Sequence, residues 1–145
     1  MENRTILLVE DNPDDEMLTL RALKRNRIEN QIVVVRDGVE ALDYLFCTGA
    51  YSKRDPNDMP ALILLDLRLP KVDGVEVLRR IRKDERTTLL QVIILTSSNA
   101  DRDMVASLTY GANAYMQKPV DFVQFTEAVR ELGLYLFVVN EASRP

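Results

Sequence analysis

Glu10 and Asp11, Asp66, Thr96 and Lys118 share one kind of placement. Each closes or directly follows a short apolar run, in "ILLVEDN", "LILLDLRLP", "VIILTSS" and "AYMQKP". Three carboxylates offer hard oxygen ligands to a divalent cation. Mg²⁺ suits them best, because it keeps several waters and takes only one or two direct carboxylates. Such a cation would also relieve repulsion, which reaches about 4 kcal/mol for two carboxylates about 4 Å apart at an effective dielectric near 20. Lys118 brings a further positive charge and Thr96 a hydroxyl donor. Metal, ammonium and hydroxyl around a carboxylate meet the needs of phosphoryl transfer, where catalysis is mostly positioning and charge neutralisation and a carboxylate can be the nucleophile. Asp66 is the natural acceptor because it ends a central strand, and Glu10 and Asp11 are the metal holders.

These residues must be brought to one place by the elements that carry them. Five runs read as strands: "TILLV" (5–9), "QIVVV" (31–35), "ALILL" (61–65), "QVIILT" (91–96) and the weaker "NAYMQ" (113–117). Their near-continuous apolarity predicts burial on both faces. Between them lie segments with helical spacing. Asn12 and Pro13 form a cap and first-turn pair for a helix carrying Met17, Leu20 and Leu23, and Asp37 can cap one carrying Val39, Leu42 and Phe46. Val77, Leu78 and Ile81 mark the third helix, Met104, Val105 and Leu108 the fourth, and Phe122, Phe125, Val129 and Leu132 the fifth. Strand and helix alternate throughout, which predicts an α/β fold: a parallel sheet with right-handed crossovers and helices on both faces. In such sheets, sites form outside the carboxyl ends of the strands. The stretch "GAYSKRDPNDMP" (49–60) reads as a surface loop.

Composition narrows the function. At 145 residues, 46% apolar and 29% charged, the chain is expected to form a single domain over 1–145. A net charge of −4 with dispersed Lys and Arg offers no basic field to nucleic acid. The sequence shows no apolar run long enough to span a membrane and no signal-peptide opening, and its single cysteine, Cys47, cannot form an internal disulfide. The cytoplasm is the expected compartment. With no histidine in the chain, a phosphoryl group arriving through histidine must come from another protein.

The motifs "VEDNPDD", "LLDLRLPKVDG", "TSS" and "YMQKP", in this order and spacing, resemble the receiver domain of two-component response regulators from Thr5 to about Leu134. The resemblance implies a flavodoxin-like (βα)₅ fold with strand order 2-1-3-4-5, and phosphorylation of Asp66 by a partner histidine kinase. It implies Mg²⁺ held by Asp11, Asp66 and the backbone carbonyl of Arg68, with Glu10 acting through water. It further implies that Thr96 and Lys118 contact the phosphoryl oxygens, that Thr96 and Tyr115 form the switch, and that the Lys118-Pro119 peptide is cis. The stretches "LLVEDNPDDEMLTLRALKR" and "VVRDGVEALDYLF" are similar to small regulators paired with phytochrome-type photoreceptor kinases. The expected function is that of a stand-alone phospho-switch in a phosphorelay, whose output is a changed surface of the fourth helix, fifth strand and fifth helix. An aspartate-nucleophile phosphatase is the competing enzyme reading, but such enzymes commonly carry a second acid two residues after the nucleophile, where this chain has Arg68. A receiver-like module that no longer takes phosphate is the other alternative, and the full acid, hydroxyl and ammonium set argues against it.

Asp14 and Asp15 read as helix N-terminal charges and Asp73 as part of the turn before the third helix. In the tail "ELGLYLFVVNEASRP", the last helix is expected to extend to about residue 140. Leu134, Tyr135, Phe137 and Val138 fall off its core-facing stripe, so a homodimer interface is expected there.

Overall fold

A computed structural model describes residues 5–25, 30–108 and 110–132. The chain runs β1 (Ile6–Val9), α1 (Pro13–Arg25), β2 (Ile32–Val35), α2 (Gly38–Phe46), β3 (Leu62–Asp66), α3 (Gly74–Lys83), β4 (Val92–Thr96), α4 (Asn99–Ala106), β5 (Ala114–Gln117) and α5 (Phe122–Leu132). The strands form one five-stranded sheet in the order β2-β1-β3-β4-β5. All four pairings are parallel, with Val9 beside Leu65 and Asp66 beside Leu95. No helix among the described residues is long and apolar enough to cross a membrane.

Strand parity decides which face each residue serves. Leu7, Val9, Ile63, Leu65, Val92 and Ile94 pack with α2, α3 and α4 on one face. Ile6, Leu8, Leu62, Leu64, Ile93 and Leu95 pack with α1 and α5 on the other. Every residue of β1, β3 and β4 is buried, while the edge strands β2 and β5 are mostly half-buried. This separation explains why the central runs are apolar without alternation.

Side chains start the helices where the sequence placed them. Asn12 Oδ1 accepts from the amides of Asp14 (2.9 Å) and Asp15 (3.1 Å), ahead of Pro13. Asp37 accepts from Glu40 N, Asp73 from Val75 N and Ser98 from Asp101 N, so α2, α3 and α4 each carry an N-cap. Three of the apolar residues used to mark helices nevertheless face solvent: Met17, Val39 and Met104. The buried face of α1 is Thr19, Ala22 and Leu23, and that of α4 is Val105.

Within the loop 49–60, Gly49–Tyr51 forms a 3₁₀ turn. Arg54 Nε donates to the Tyr44 carbonyl (2.8 Å) and the Tyr51 hydroxyl to Glu40 Oε2 (2.8 Å), so the loop is pinned along α2.

Candidate functional site

Parity carries three side chains to one corner. Glu10 is in phase with Ile6 and Leu8, Asp66 with Leu62 and Leu64, and Lys118 with Met116, all on the α1/α5 side of the sheet. The Lys118 ammonium lies 3.1 Å from Glu10 Oε1 and 3.1 Å from Asp66 Oδ2. It also lies 2.9 Å from Asp15 Oδ2, on the first turn of α1. Glu10 and Asp66 are buried, whereas Asp11 is exposed. The peptide between Lys118 and Pro119 is cis.

Electrostatics follow from that burial. Loss of solvation first, and then the neighbouring Asp66, push the Glu10 carboxyl up to about 8, against the opposing pull of Lys118. Burial by itself would lower the Lys118 value, but the carboxylates of Asp15, Asp66 and Glu10 outweigh it and hold the ammonium above its ordinary range. Lys118 therefore stays charged throughout the neutral range.

The acid cluster suits a divalent cation. Glu10, Asp11 and Asp66 each present an oxygen within 4.8 Å of the others, and the exposed Asp11 leaves the cluster open to solvent. An all-oxygen donor set of this charge selects hard ions of the Mg²⁺ or Mn²⁺ kind.

Around this corner the chain folds back on the acceptor. The amide of Arg68 donates to Asp66 Oδ1 at 3.2 Å. The Arg68 guanidinium forms a two-point pair with Asp101 in the first turn of α4, at 2.8 and 2.9 Å, and so ties the loop after β3 to the start of that helix. Thr96 is buried at the same sheet edge but in the phase of Val92 and Ile94. Its hydroxyl accepts from Ser98 N at 3.1 Å. Tyr115 is half-buried, with the Arg102 guanidinium 5.6 Å from its ring centroid. Thr96 and Tyr115 line a common void of about 30 Å³ together with Asn99 and Arg102. That is room for about one water and not for a tyrosine ring.

Residues 6–130 match the sequence profile of the response regulator receiver domain. The chain belongs to the response regulator receiver family. The receiver is 50% identical to the bacteriophytochrome response regulator AtBRR, whose structure superposes with a TM-score of 0.88 over 97% of this chain and 100% of that one. It is 38% identical over 115 residues to the response regulator Rcp1 of Synechocystis, spanning 79% of this chain and 76% of Rcp1. A structure of Rcp1 in its Mn²⁺-bound form matches with a TM-score of 0.75, 34% identity and coverage of 90% and 94% of the two chains. A probable methanogenesis regulatory protein, FilR2 of Methanothrix harundinacea, is 39% identical over 97% of this chain and 88% of its own length.

The receiver thus brings Glu10, Asp11, Asp66 and Lys118 into one cluster and sets Thr96 and Tyr115 together beside it. Arg68 joins the site through its amide and through its ion pair with Asp101. Asp15 lies in the first turn of α1, as expected of a helix N-terminal charge, and it also makes the shortest of the three ion-pair contacts to Lys118, a contact the sequence reading missed. A usable signal was present: Asp15, Thr19 and Leu23 recur at intervals of four, which places Asp15 on the buried face of α1, whereas Asp14 is exposed. Leu134, Tyr135, Phe137 and Val138 lie outside the described residues.

Proposed function

We propose that this receiver takes a phosphoryl group onto Asp66 from a phosphohistidine of a partner kinase and acts as a signalling switch, not as an enzyme with an external substrate. The observation that carries this reading is the Lys118 ammonium, 3.1 Å from Asp66 Oδ2, beside an acid cluster able to hold a cation. In the transfer, an Asp66 oxygen forms a bond to phosphorus as the phosphorus–nitrogen bond to the donor imidazole breaks. The electron pair returns to that nitrogen, which takes a proton from solvent. Glu10, Asp11, Asp66 and the Arg68 carbonyl would hold Mg²⁺, which supplies charge neutralisation for the phosphoryl oxygens. Lys118 neutralises a further oxygen, and the Thr96 hydroxyl leaves Ser98 to donate to another.

Movement of Thr96 would open the void it shares with Tyr115 and so couple the acceptor to the surface of α4, β5 and α5. The similarity to AtBRR, a bacteriophytochrome response regulator, supports a phytochrome-type kinase as the donor. A cytoplasmic location and a homodimer through Leu134, Tyr135, Phe137 and Val138, which lie outside the described residues, complete the reading. Molar mass by light scattering against concentration tests the dimer.

The central experiment is labelling with Mg²⁺ and a small acyl phosphate. One phosphoryl group is expected per chain, Asp66→Asn should abolish it, and Asp11→Ala should weaken Mg²⁺ binding first. Equal labelling of the Asp66→Asn variant would refute the acceptor assignment.

A further inference from the structure

Lys118 has one partner that the chemistry above leaves unused. Its Nζ lies 3.1 Å from Glu10, 3.1 Å from Asp66 and 2.9 Å from Asp15. An ammonium has three N–H donors, so carboxylates carried by three separate parts of the chain can each take one. Two of these partners have other duties. Glu10 and Asp66 belong to the acid cluster, and Asp66 is also the nucleophile in the reading on which this inference rests. Asp15 stands outside the cluster and is the partner whose role need not change as the phosphoryl group arrives.

We propose that Asp15 is a positioning residue, holding the Lys118 ammonium from the α1 side so that its donor to Asp66 can turn to a phosphoryl oxygen without the lysine leaving the site. A lysine side chain loses rotamer freedom when it is held in one place, and an anchoring ion pair meets that cost before the reaction begins. Without Asp15, the ammonium either spreads over more rotamers or settles between Glu10 and Asp66. Both outcomes take it from the position where phosphoryl charge develops. The neighbouring Asp14 offers an internal control, because it carries the same charge in the same helical turn but is exposed and bonds the Asn12 side chain only through its amide.

With acetyl phosphate as donor, the Asp66 oxygen–phosphorus bond forms and the phosphorus–oxygen bond to acetate breaks, the electron pair leaving with acetate. Lys118 remains protonated throughout. The test measures the phosphorylation rate at saturating Mg²⁺, Mg²⁺ affinity by calorimetry and the ¹⁵N signal of the lysine ammonium for Asp15→Ala, Asp15→Asn and Asp14→Ala. Loss of one charge-assisted hydrogen bond predicts a rate about tenfold lower for Asp15→Ala. Asp15→Asn, which keeps an oxygen acceptor, should be intermediate, and Asp14→Ala should match the unaltered chain. Mg²⁺ affinity should stay within about twofold, because all the cluster carboxylates remain. The ammonium signal should lose protection in Asp15→Ala alone. In a Lys118→Met background, Asp15→Ala should add nothing.

Equal rates for the Asp15 and Asp14 variants would overturn the proposal, as would the same slowing in the Lys118→Met background or a fall in Mg²⁺ affinity in step with the rate. If the unaltered chain labels on Asp66 and Asp15→Ala is as fast, only this inference fails. If the unaltered chain takes no label, the acceptor reading fails and takes the inference with it.

Discussion

Lys118 and Asp66 are 52 residues apart in sequence, yet the ammonium of one stands 3.1 Å from the carboxylate of the other, with only 13% and 4% of the two side chains exposed. The sheet makes this contact, since β3 and β5 flank β4 and deliver both residues to the same edge. Removing the cation leaves the buried Asp66 carboxylate, and Glu10 wherever it is ionised, without a compensating charge. Lys118→Ala should therefore lower unfolding stability in chelator by about 3 kcal/mol, the scale for breaking a buried pair by deleting one partner. Urea titration measures this, and Mg²⁺ should restore part of the loss by binding the native state. Unchanged stability in chelator would show that Lys118 does not balance the cluster.

Glu10 gives the site a pH signature. Its carboxyl rises from an ordinary value near 4.5 to about 8, because burial and Asp66 disfavour the charged form. Between those values the native state binds a proton that the unfolded state releases. The associated stability is complete below about 4.5 and is lost as pH rises through about 8. In chelator, the thermal midpoint should fall as pH rises from about 4.5 to about 8, and Glu10→Gln should flatten the curve. Glu76 and Asp84, held down at about 2 by hydrogen bonds from Arg79 and Arg86, titrate below that window and leave it clean. A midpoint in Glu10→Gln that still falls in parallel with the unaltered chain would assign the titration elsewhere.

Gly74, at the start of α3, lets that helix approach the acceptor. A Cβ there would stand 2.3 Å from the Asp66 carbonyl oxygen and 2.6 Å from Leu67 Cα, both backbone atoms that cannot rotate away. Gly74→Ala should cost about 1–3 kcal/mol, as overpacking does, and slow labelling because the backbone carrying Asp66 must shift. Gly111→Ala is the control, since a Cβ at that position meets nothing within 4 Å. Denaturation and labelling rates together check it, and equal behaviour of the two variants would remove the close-approach argument.

The sequence by itself determined the sheet and most of the site, for a local reason. Apolar runs such as "LILLD" and "VIILT" can be satisfied only by burial on both faces, and a polar residue ending such a run must emerge at the sheet edge. Asn12 and Asp37 were likewise legible as caps, because caps act within a few residues. Tertiary structure decided what depends on the phase of one element against another. Asp14 and Asp15 differ by one position and are chemically alike, but only the α1–sheet packing turns Asp15 to Lys118, 103 residues away. The same holds for Arg68, whose partner Asp101 lies 33 residues on, in the first turn of α4. It also holds for Met17, Val39 and Met104, apolar residues used to mark helices, which packing leaves in solvent. Helical spacing puts Asp15 on the buried side of α1, but which partner it meets there is set by where the elements come to rest.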